Sequence, residues 1–216
     1  MVFTGKISVL SCIFDFSVYV IWILLLLIMK GKRKMILPTS ENSVIVLIDM
    51  QEKLVRAMST PESTTKACRM LMQGADALQC PVIVTEQYPK GLGSTLEEVS
   101  SVLPAGTPII EKTSFSCYGT EAFAEAIQKL DRECVILCGV ESHVCVLQTA
   151  MDAIAAGKIV YIVTDGVSSR KESDRDTGLQ YLRHNGVQEL SAEALLFMML
   201  RNSKHPAFKT ISALVR

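Results

Sequence analysis

The sequence predicts a three-layer α/β fold, in which helices cover both faces of a mainly parallel central sheet. Short apolar runs, typical of strands buried on both faces, alternate with longer stretches of helical periodicity. Alternation on this scale predicts right-handed β–α–β units. The 216 residues are enough for one such domain and an N-terminal extension.

Each predicted strand is followed by a predicted helix. The strands are expected at about 44–49, 81–86, 108–111, 134–139 and 159–164, with a short closing strand near 187–190. The helices are expected at about 62–79, 120–130, 143–156, 172–184 and 192–200. The loop 89–106 is long enough to act as a pocket flap or a subunit contact. The architecture is Rossmann-like, but no G-x-G-x-x-G turn is present, so dinucleotide binding has no support beyond fold analogy.

An apolar segment, residues 7–29, precedes the predicted domain and contains a single charged residue, Asp15. A helix of this length can span a hydrocarbon core of about 30 Å. Four cationic residues lie within 30–34 and no small-x-small cleavage site follows the segment. These features predict a hydrophobic helix that acts as a retained signal anchor, with the C-terminal domain in the cytosol. In a competing interpretation, translation starts at Met35 and the protein is soluble and cytoplasmic.

The chain therefore divides into an extension, residues 1–34, and a folded domain, residues 35–216. The whole chain has 22 basic and 22 acidic residues. The extension holds five of the basic residues and one of the acidic ones, which leaves the domain 17 basic and 21 acidic residues and a net charge near −4. This balance argues against a nucleic-acid-binding domain, whose surface would be basic.

The cysteines show neither a C-x-x-C pair nor a recognisable metal-ligand spacing. We expect them to be reduced thiols in a cytosolic domain. Most are expected to fill core or helix-face positions, namely Cys68, Cys80, Cys134 and Cys138. No metal and no cofactor are expected.

Reactive side chains stand at the predicted carboxyl ends of three strands. Asp49 ends the run that starts at Val44, Lys112 ends the segment that starts at Thr107, and Cys145 follows the fourth strand and leads into a helix. Ligands of open α/β sheets bind at these strand ends. A helix N-terminus favours the thiolate, which is the nucleophilic form of cysteine. Taken singly, each residue also fits a purely structural role. The thiol would be a small core residue, and the charged groups would be solvated residues at strand ends.

These motifs resemble the cysteine hydrolases of the isochorismatase-like superfamily. The D-x-Q motif reads Asp49-Met50-Gln51, the strand-end lysine is Lys112, and the G-[VI]-x-[ST]-x-x-C motif runs from Gly139 to Cys145. The resemblance covers about residues 43–211. Three further stretches are similar to the isochorismatase-domain-containing subgroup in particular, namely 85–93, 111–116 and 205–209.

The resemblance implies a role for each motif residue. Asp49 would be the base, Cys145 the nucleophile and Lys112 a cation that keeps Asp49 ionised. The backbone N–H groups of Cys145 and Glu141 would bind the oxyanion, next to a cis peptide bond between Val140 and Glu141.

The resemblance also implies an aromatic pocket wall at Phe115 and Tyr118. Tyr88 is a further candidate for this wall or for the surface. Gln51 is a candidate to orient Asp49 or the substrate, with a solvated polar residue as the alternative. For Cys117 the sequence leaves two positions open, the core and the pocket wall.

Nicotinamidases of this superfamily carry metal-binding His residues near the second strand, where this chain reads Thr85-Glu86-Gln87-Tyr88-Pro89. Without imidazoles a zinc-like site is not expected. The retained Cys145 favours hydrolysis of a small amide, or of a related C–N substrate, through a thioester. The alternatives are isochorismate-type vinyl-ether hydrolysis and a non-catalytic, membrane-tethered binding protein on the same fold. A homo-oligomer with a small-molecule substrate is implied by the resemblance.

Overall fold

A six-stranded parallel sheet forms the centre of the computed structural model, which describes residues 36–216. Its strands are β1 (Ser43–Ile48), β2 (Val82–Gln87), β3 (Ile109–Lys112), β4 (Cys134–Val140), β5 (Ile159–Ser168) and β6 (Gln188–Leu190). The order across the sheet is β3-β2-β1-β4-β5-β6, and each neighbouring pair is parallel. The strand order reverses between β1 and β4, which is where open α/β sheets bind their ligands.

Helices connect the strands and complete the α/β architecture, so the predicted fold class is confirmed. They are α1 (Glu52–Val55), α2 (Pro61–Leu78), α3 (Pro89–Leu92), α4 (Glu97–Ser100), α5 (Glu121–Leu130), α6 (Leu147–Ala155), α7 (Glu172–His184), α8 (Ala192–Leu200) and α9 (Phe208–Leu214). A 3₁₀ turn covers Cys117–Gly119, and a π-helical turn, Ser142–Val146, leads directly into α6.

The apolar segment 7–29, with its predicted anchor helix, lies outside the described residues. Among residues 36–216, none of the helices combines the length and the apolarity that a bilayer crossing requires.

The middle of the sheet is the most deeply buried part of the described chain. Every residue of β1 and β4 is buried, as their continuous apolar sequences predict. The register pairs Ile48 with Thr85 on one side and with Gly139 on the other. This register places the residue after β1 between the ends of β2 and β4.

The backbone of β4 comes unusually close to β1 at Gly139. Gly139 has φ +111°, a region that L side chains rarely adopt, and the register with β5 shifts between Leu137 and Gly139. A Cβ at Gly139 would overlap the backbone carbonyl of Ile48. Only glycine fits at this contact.

The predicted element boundaries agree closely for the strands and the long helices, whereas the short helices are absent from the prediction. The strands begin and end within two residues of their predicted positions, except that β5 continues to Ser168. The helix predicted to start at 143 begins as the π-helical turn instead. The predicted loop 89–106 contains α3 and α4, and an isolated bridge pairs its Thr95 with Gln51. Its role as a flap or a subunit contact stays a prediction.

The six cysteines of the described chain are free and buried. Cys68, Cys80, Cys134 and Cys138 lie in the interior, which confirms their predicted core positions. Cys117 is also fully buried, and it lies next to the carboxyl end of the sheet. Among residues 36–216 no group of His, Cys, Asp and Glu side chains could hold a metal ion.

Candidate active site

Three strand ends bring their reactive side chains together at the switch point of the sheet. The Lys112 ammonium donates to Asp49 Oδ2 at 2.7 Å, and the Cys145 thiol lies close enough to the Asp49 carboxylate for each to shift the pKa of the other. All three residues are buried, with exposed fractions of 0% for Asp49, 3% for Lys112 and 7% for Cys145. The structure therefore joins the acid, the cation and the thiol that the sequence predicts for one site.

Asp49 is the centre of this group. It follows β1 directly and has φ +52°, a left-handed conformation that turns the chain at the strand end. Its Oδ1 accepts a hydrogen bond from the Thr85 hydroxyl at 2.8 Å, and Lys112 occupies Oδ2. Burial raises the pKa of Asp49, and the charge of Lys112 is the largest opposing influence. Two donors, the Thr85 hydroxyl and the Lys112 ammonium, therefore bind the two oxygens of the carboxylate, and both favour its ionised form.

The Lys112 ammonium is surrounded by oxygen atoms. Besides Asp49, it donates to Gln87 Oε1 at 2.7 Å and to the backbone carbonyls of Ser114 and Phe115, both at 3.2 Å. A buried ammonium needs such partners, because desolvation otherwise disfavours its charge. Sequence reasoning missed Gln87, since nothing in its local sequence indicates a contact with a residue on another strand.

Cys145 lies within the π-helical turn that follows β4. The backbone N–H groups of Val144 and Val146 both donate to the Glu141 carbonyl and close the turn around it. Burial, and next the charge of Asp49, raise the pKa of the Cys145 thiol to about 12. This shift is opposite to the one that a helix N-terminus alone would produce. The resting thiol keeps its proton, because a carboxylate lies beside it in a buried site.

The peptide bond between Val140 and Glu141 is cis, the conformation that the resemblance implies. The Glu141 carboxylate accepts hydrogen bonds from the backbone N–H and the Nε of Arg170, each at 3.1 Å. His143 contacts Ser169 through Nδ1 at 2.9 Å, and its Nε2 lies 4.0 Å from Asp174. These contacts fix the outer side of the nucleophile turn to the segment that leads into α7.

Gln51 hydrogen bonds to the main chain of neighbouring segments, and its predicted role in orienting Asp49 or the substrate stays a prediction. Its side chain is fully buried, and its Oε1 accepts from the Gln87 N–H at 2.7 Å. Its Nε2 donates to the Gln87 carbonyl at 3.0 Å and to the Gly93 carbonyl at 2.5 Å. The amide is thus committed to the main chain of neighbouring segments. It holds the end of β2 and is shielded from solvent.

The three aromatic residues differ in their exposure. Tyr88 and Phe115 are 56% and 55% exposed, and both belong to segments that contact Lys112 through backbone atoms. A cavity of about 460 Å³ adjoins Tyr88, Lys112 and Thr113. Tyr118 instead packs edge-on against Phe123, with ring centroids 5.3 Å apart, and burial raises its hydroxyl pKa to about 12. Contact of these rings with a substrate stays a prediction.

Comparisons with a family model and with known proteins both find similarity to the isochorismatase domain. The family model of the Isochorismatase domain matches residues 43–194. The isochorismatase domain-containing protein 2 of Xenopus laevis is 38% identical over 175 residues, which cover 81% of this chain and 83% of that protein.

Solved structures show the same architecture. The MAR1 ribonuclease from Caenorhabditis elegans superimposes with a TM-score of 0.80 at 35% identity, over 83% of this chain and 92% of that one. YcaC from Escherichia coli, described as an octameric hydrolase of unknown specificity, gives a TM-score of 0.80 at 21% identity, over 85% and 92% of the two chains. At that identity the likeness to YcaC concerns the fold alone.

Proposed function

Because the chain belongs to the isochorismatase family, we propose that it is a hydrolase that cleaves the C–N bond of a small amide with Cys145 as its nucleophile. One observation carries this proposal: the Cys145 thiol lies beside a carboxylate that is itself paired with the buried Lys112 ammonium. A core cysteine has no need of such a base, whereas a nucleophile does.

The first step joins sulfur to the substrate. Asp49 takes the thiol proton while Sγ attacks the carbonyl carbon, and the carbonyl π electrons move to oxygen to give a tetrahedral intermediate. Proton transfer and attack are coupled, because a thiol whose pKa is about 12 gives no stable thiolate beside Asp49. The Cys145 and Glu141 N–H groups are the proposed donors to the oxyanion, by analogy with the family.

The second step releases nitrogen. Protonated Asp49 returns its proton to the leaving nitrogen, the C–N bond breaks, and ammonia or an amine departs from the thioester. Water then attacks the thioester as Asp49 accepts the water proton, and Cys145 leaves as the thiol with that proton. The products are a carboxylic acid and the free enzyme. Lys112 keeps its charge throughout and balances Asp49 whenever Asp49 is ionised.

A small, uncharged or weakly charged substrate suits this site. Only 7% of Cys145 is exposed, and the exposed rings of Tyr88 and Phe115 offer apolar surface in the segments around Lys112. RNA is a less suitable substrate, although the Caenorhabditis elegans protein is named a ribonuclease. Its phosphates would meet a domain with 17 basic and 21 acidic residues. A cytosolic location and a homo-oligomer are parts of the same proposal.

The test is a screen of small aliphatic and aromatic amides with the purified full chain. Ammonia release measures turnover, and intact-protein mass spectrometry detects the acyl adduct on Cys145. We expect Cys145→Ala to lower turnover by about 10³-fold or more and to lose the adduct. Cys80→Ala, which removes a buried thiol at the other end of the sheet, should retain both.

Turnover that survives in Cys145→Ala would overturn the covalent route. If Asp49→Ala abolished that remaining turnover, the result would favour the isochorismate-type ether hydrolysis, which uses an acid without a thiol. A protein that binds amides but neither turns them over nor forms an adduct would be a binding protein.

A further inference from the structure

Gln87 makes the second of the two closest contacts of the Lys112 ammonium. Its Oε1 lies 2.7 Å from Nζ, the same distance as Asp49 Oδ2, whereas the two backbone carbonyls are at 3.2 Å. An ammonium has three protons to donate, so two short contacts fix most of its orientation.

The direction of the Gln87 amide is set at its other end. Nε2 donates to the Thr113 carbonyl at 2.8 Å, which leaves the carbonyl oxygen facing Lys112. Reversing the amide would place an NH₂ group against the ammonium and an oxygen against a carbonyl, and both contacts would be repulsive. The network therefore admits one orientation.

The backbone of Gln87 is held just as firmly. The Gln87 N–H donates to Gln51 Oε1 at 2.7 Å, and Gln51 Nε2 donates to the Gln87 carbonyl at 3.0 Å. Gln51 lies two residues after Asp49, and its own N–H donates to the Asp49 carbonyl at 2.7 Å. The segment that carries the base thus also fixes the residue that contacts the cation.

We infer that Gln87 is a positioning residue of the active site, whose side-chain carbonyl holds the Lys112 ammonium against Asp49 as a neutral acceptor. The inference rests on the proposed function. Its physical basis is charge balance: one cation faces one carboxylate next to the thiol. A second carboxylate at position 87 would give that cation two anions, and the site would become net negative.

Alkylation of Cys145 by iodoacetamide reports this balance without any substrate. The thiolate is the reacting form, so the rate at a given pH follows the Cys145 pKa. The charged and titratable groups around the thiol are Asp49, Lys112 and Cys117. We would measure the rate in the full chain from pH 7 to pH 10 by peptide mass spectrometry, for Gln87→Glu, Gln87→Met and the control Gln128→Glu on the exposed face of α5.

Gln87→Glu should slow the alkylation of Cys145 by about tenfold at pH 8.5, because an added nearby carboxylate disfavours the thiolate. Gln87→Met should slow it by about threefold, because Lys112 is no longer held where it offsets Asp49. Gln128→Glu should match the parent protein. Far-UV circular dichroism and thermal melts verify that each variant is folded.

Profiles of Gln87→Glu and Gln87→Met that both coincide with the parent profile would overturn the inference, since Lys112 would then keep its place without Gln87. Faster alkylation in Gln87→Met would overturn it as well, because the cation would have moved toward the thiol. Neither result would touch the proposed function, which depends on the turnover of Cys145→Ala.

Discussion

The two ends of the sheet bury similar side chains in different surroundings. At the amino end, a cavity of about 550 Å³ is lined mostly by apolar residues, and burial raises the pKa of Cys80 to about 12. The Cys80 thiol donates only to backbone carbonyls, including that of Ser43 at 3.6 Å. At the carboxyl end, Cys145 has a thiol pKa of about 12 as well, but Asp49 lies beside it.

The comparison teaches that a raised thiol pKa does not identify a nucleophile. Burial is the largest cause of the raised pKa at both thiols, and at Cys145 the charge of Asp49 comes next. What differs is the presence of a group that can accept the proton. The carboxyl end has one because β1, β2 and β3 each end in a polar side chain that points into the same site.

The largest expected effect comes from Asp49→Asn. This change removes the proton acceptor that distinguishes the carboxyl end of the sheet from the amino end. Turnover of the amide substrate should fall by about 10³-fold, because an amide cannot take the thiol proton. The Cys145 pKa should fall at the same time, because Lys112 then faces no carboxylate. Alkylation of Cys145 at pH 8 should therefore become about tenfold faster, while that of Cys80 stays unchanged.

Steady-state ammonia release and peptide mass spectrometry measure the two effects on one preparation. Slower alkylation of Cys145 in Asp49→Asn would show that the carboxylate does not raise the thiol pKa. Undiminished turnover would remove Asp49 from the role of base.

Lys112→Met should have the next largest effect, on stability. It leaves the Asp49 carboxylate buried without its cation, which costs about 3 to 5 kcal/mol in the free energy of unfolding. The control is Arg56→Met, which breaks a surface pair with Glu52 whose side chains are 75% and 54% exposed. That change should alter the free energy of unfolding by less than about 1 kcal/mol. Guanidinium chloride unfolding compares the two, and equal losses would contradict the buried pair's special role.

The remaining prediction concerns the pH dependence of the unmodified chain and needs no substitution. Because the Cys145 pKa is raised to about 12, the thiolate fraction grows through the whole range from neutral pH to pH 10. Alkylation of Cys145 should therefore accelerate by about tenfold per pH unit without a plateau, whereas an exposed thiol with a pKa of about 8.5 levels off. The measurement is the rate with iodoacetamide at intervals of half a pH unit, and a plateau near pH 8 would contradict the raised pKa of Cys145.

The sequence predicts the long elements and the reactive trio well, for a common reason. Buried parallel strands have continuous apolar sequences, so the charged residue that ends such a run stands out, as Asp49 does after Ile48. The parallel arrangement then brings Asp49, Lys112 and Cys145 to one edge. The short helices α1, α3 and α4 span only one turn each, and so they carry no periodicity that could predict them.

The roles of the two glutamines could not be predicted in this way. Gln51 belongs to the D-x-Q motif, which suggests a pocket residue, yet its partners are backbone groups of Gln87 and Gly93. The contact between Gln87 and Lys112 joins residues 25 positions apart and depends on the direction of an amide. The raised pKa of Cys145 likewise comes from burial and from Asp49, which the position of the thiol near a helix start does not indicate.

Gly139 sets the distance between the strand that carries the acid and the strand that leads to the sulfur. β1 and β4 are in contact where Gly139 pairs with Ile48, and the contact is possible because glycine has no Cβ. Any larger residue would push these two strands apart, and the thiol would move away from its base before any group at the reaction centre had been altered. The distance between Asp49 and Cys145 thus depends on the absence of a Cβ atom at position 139.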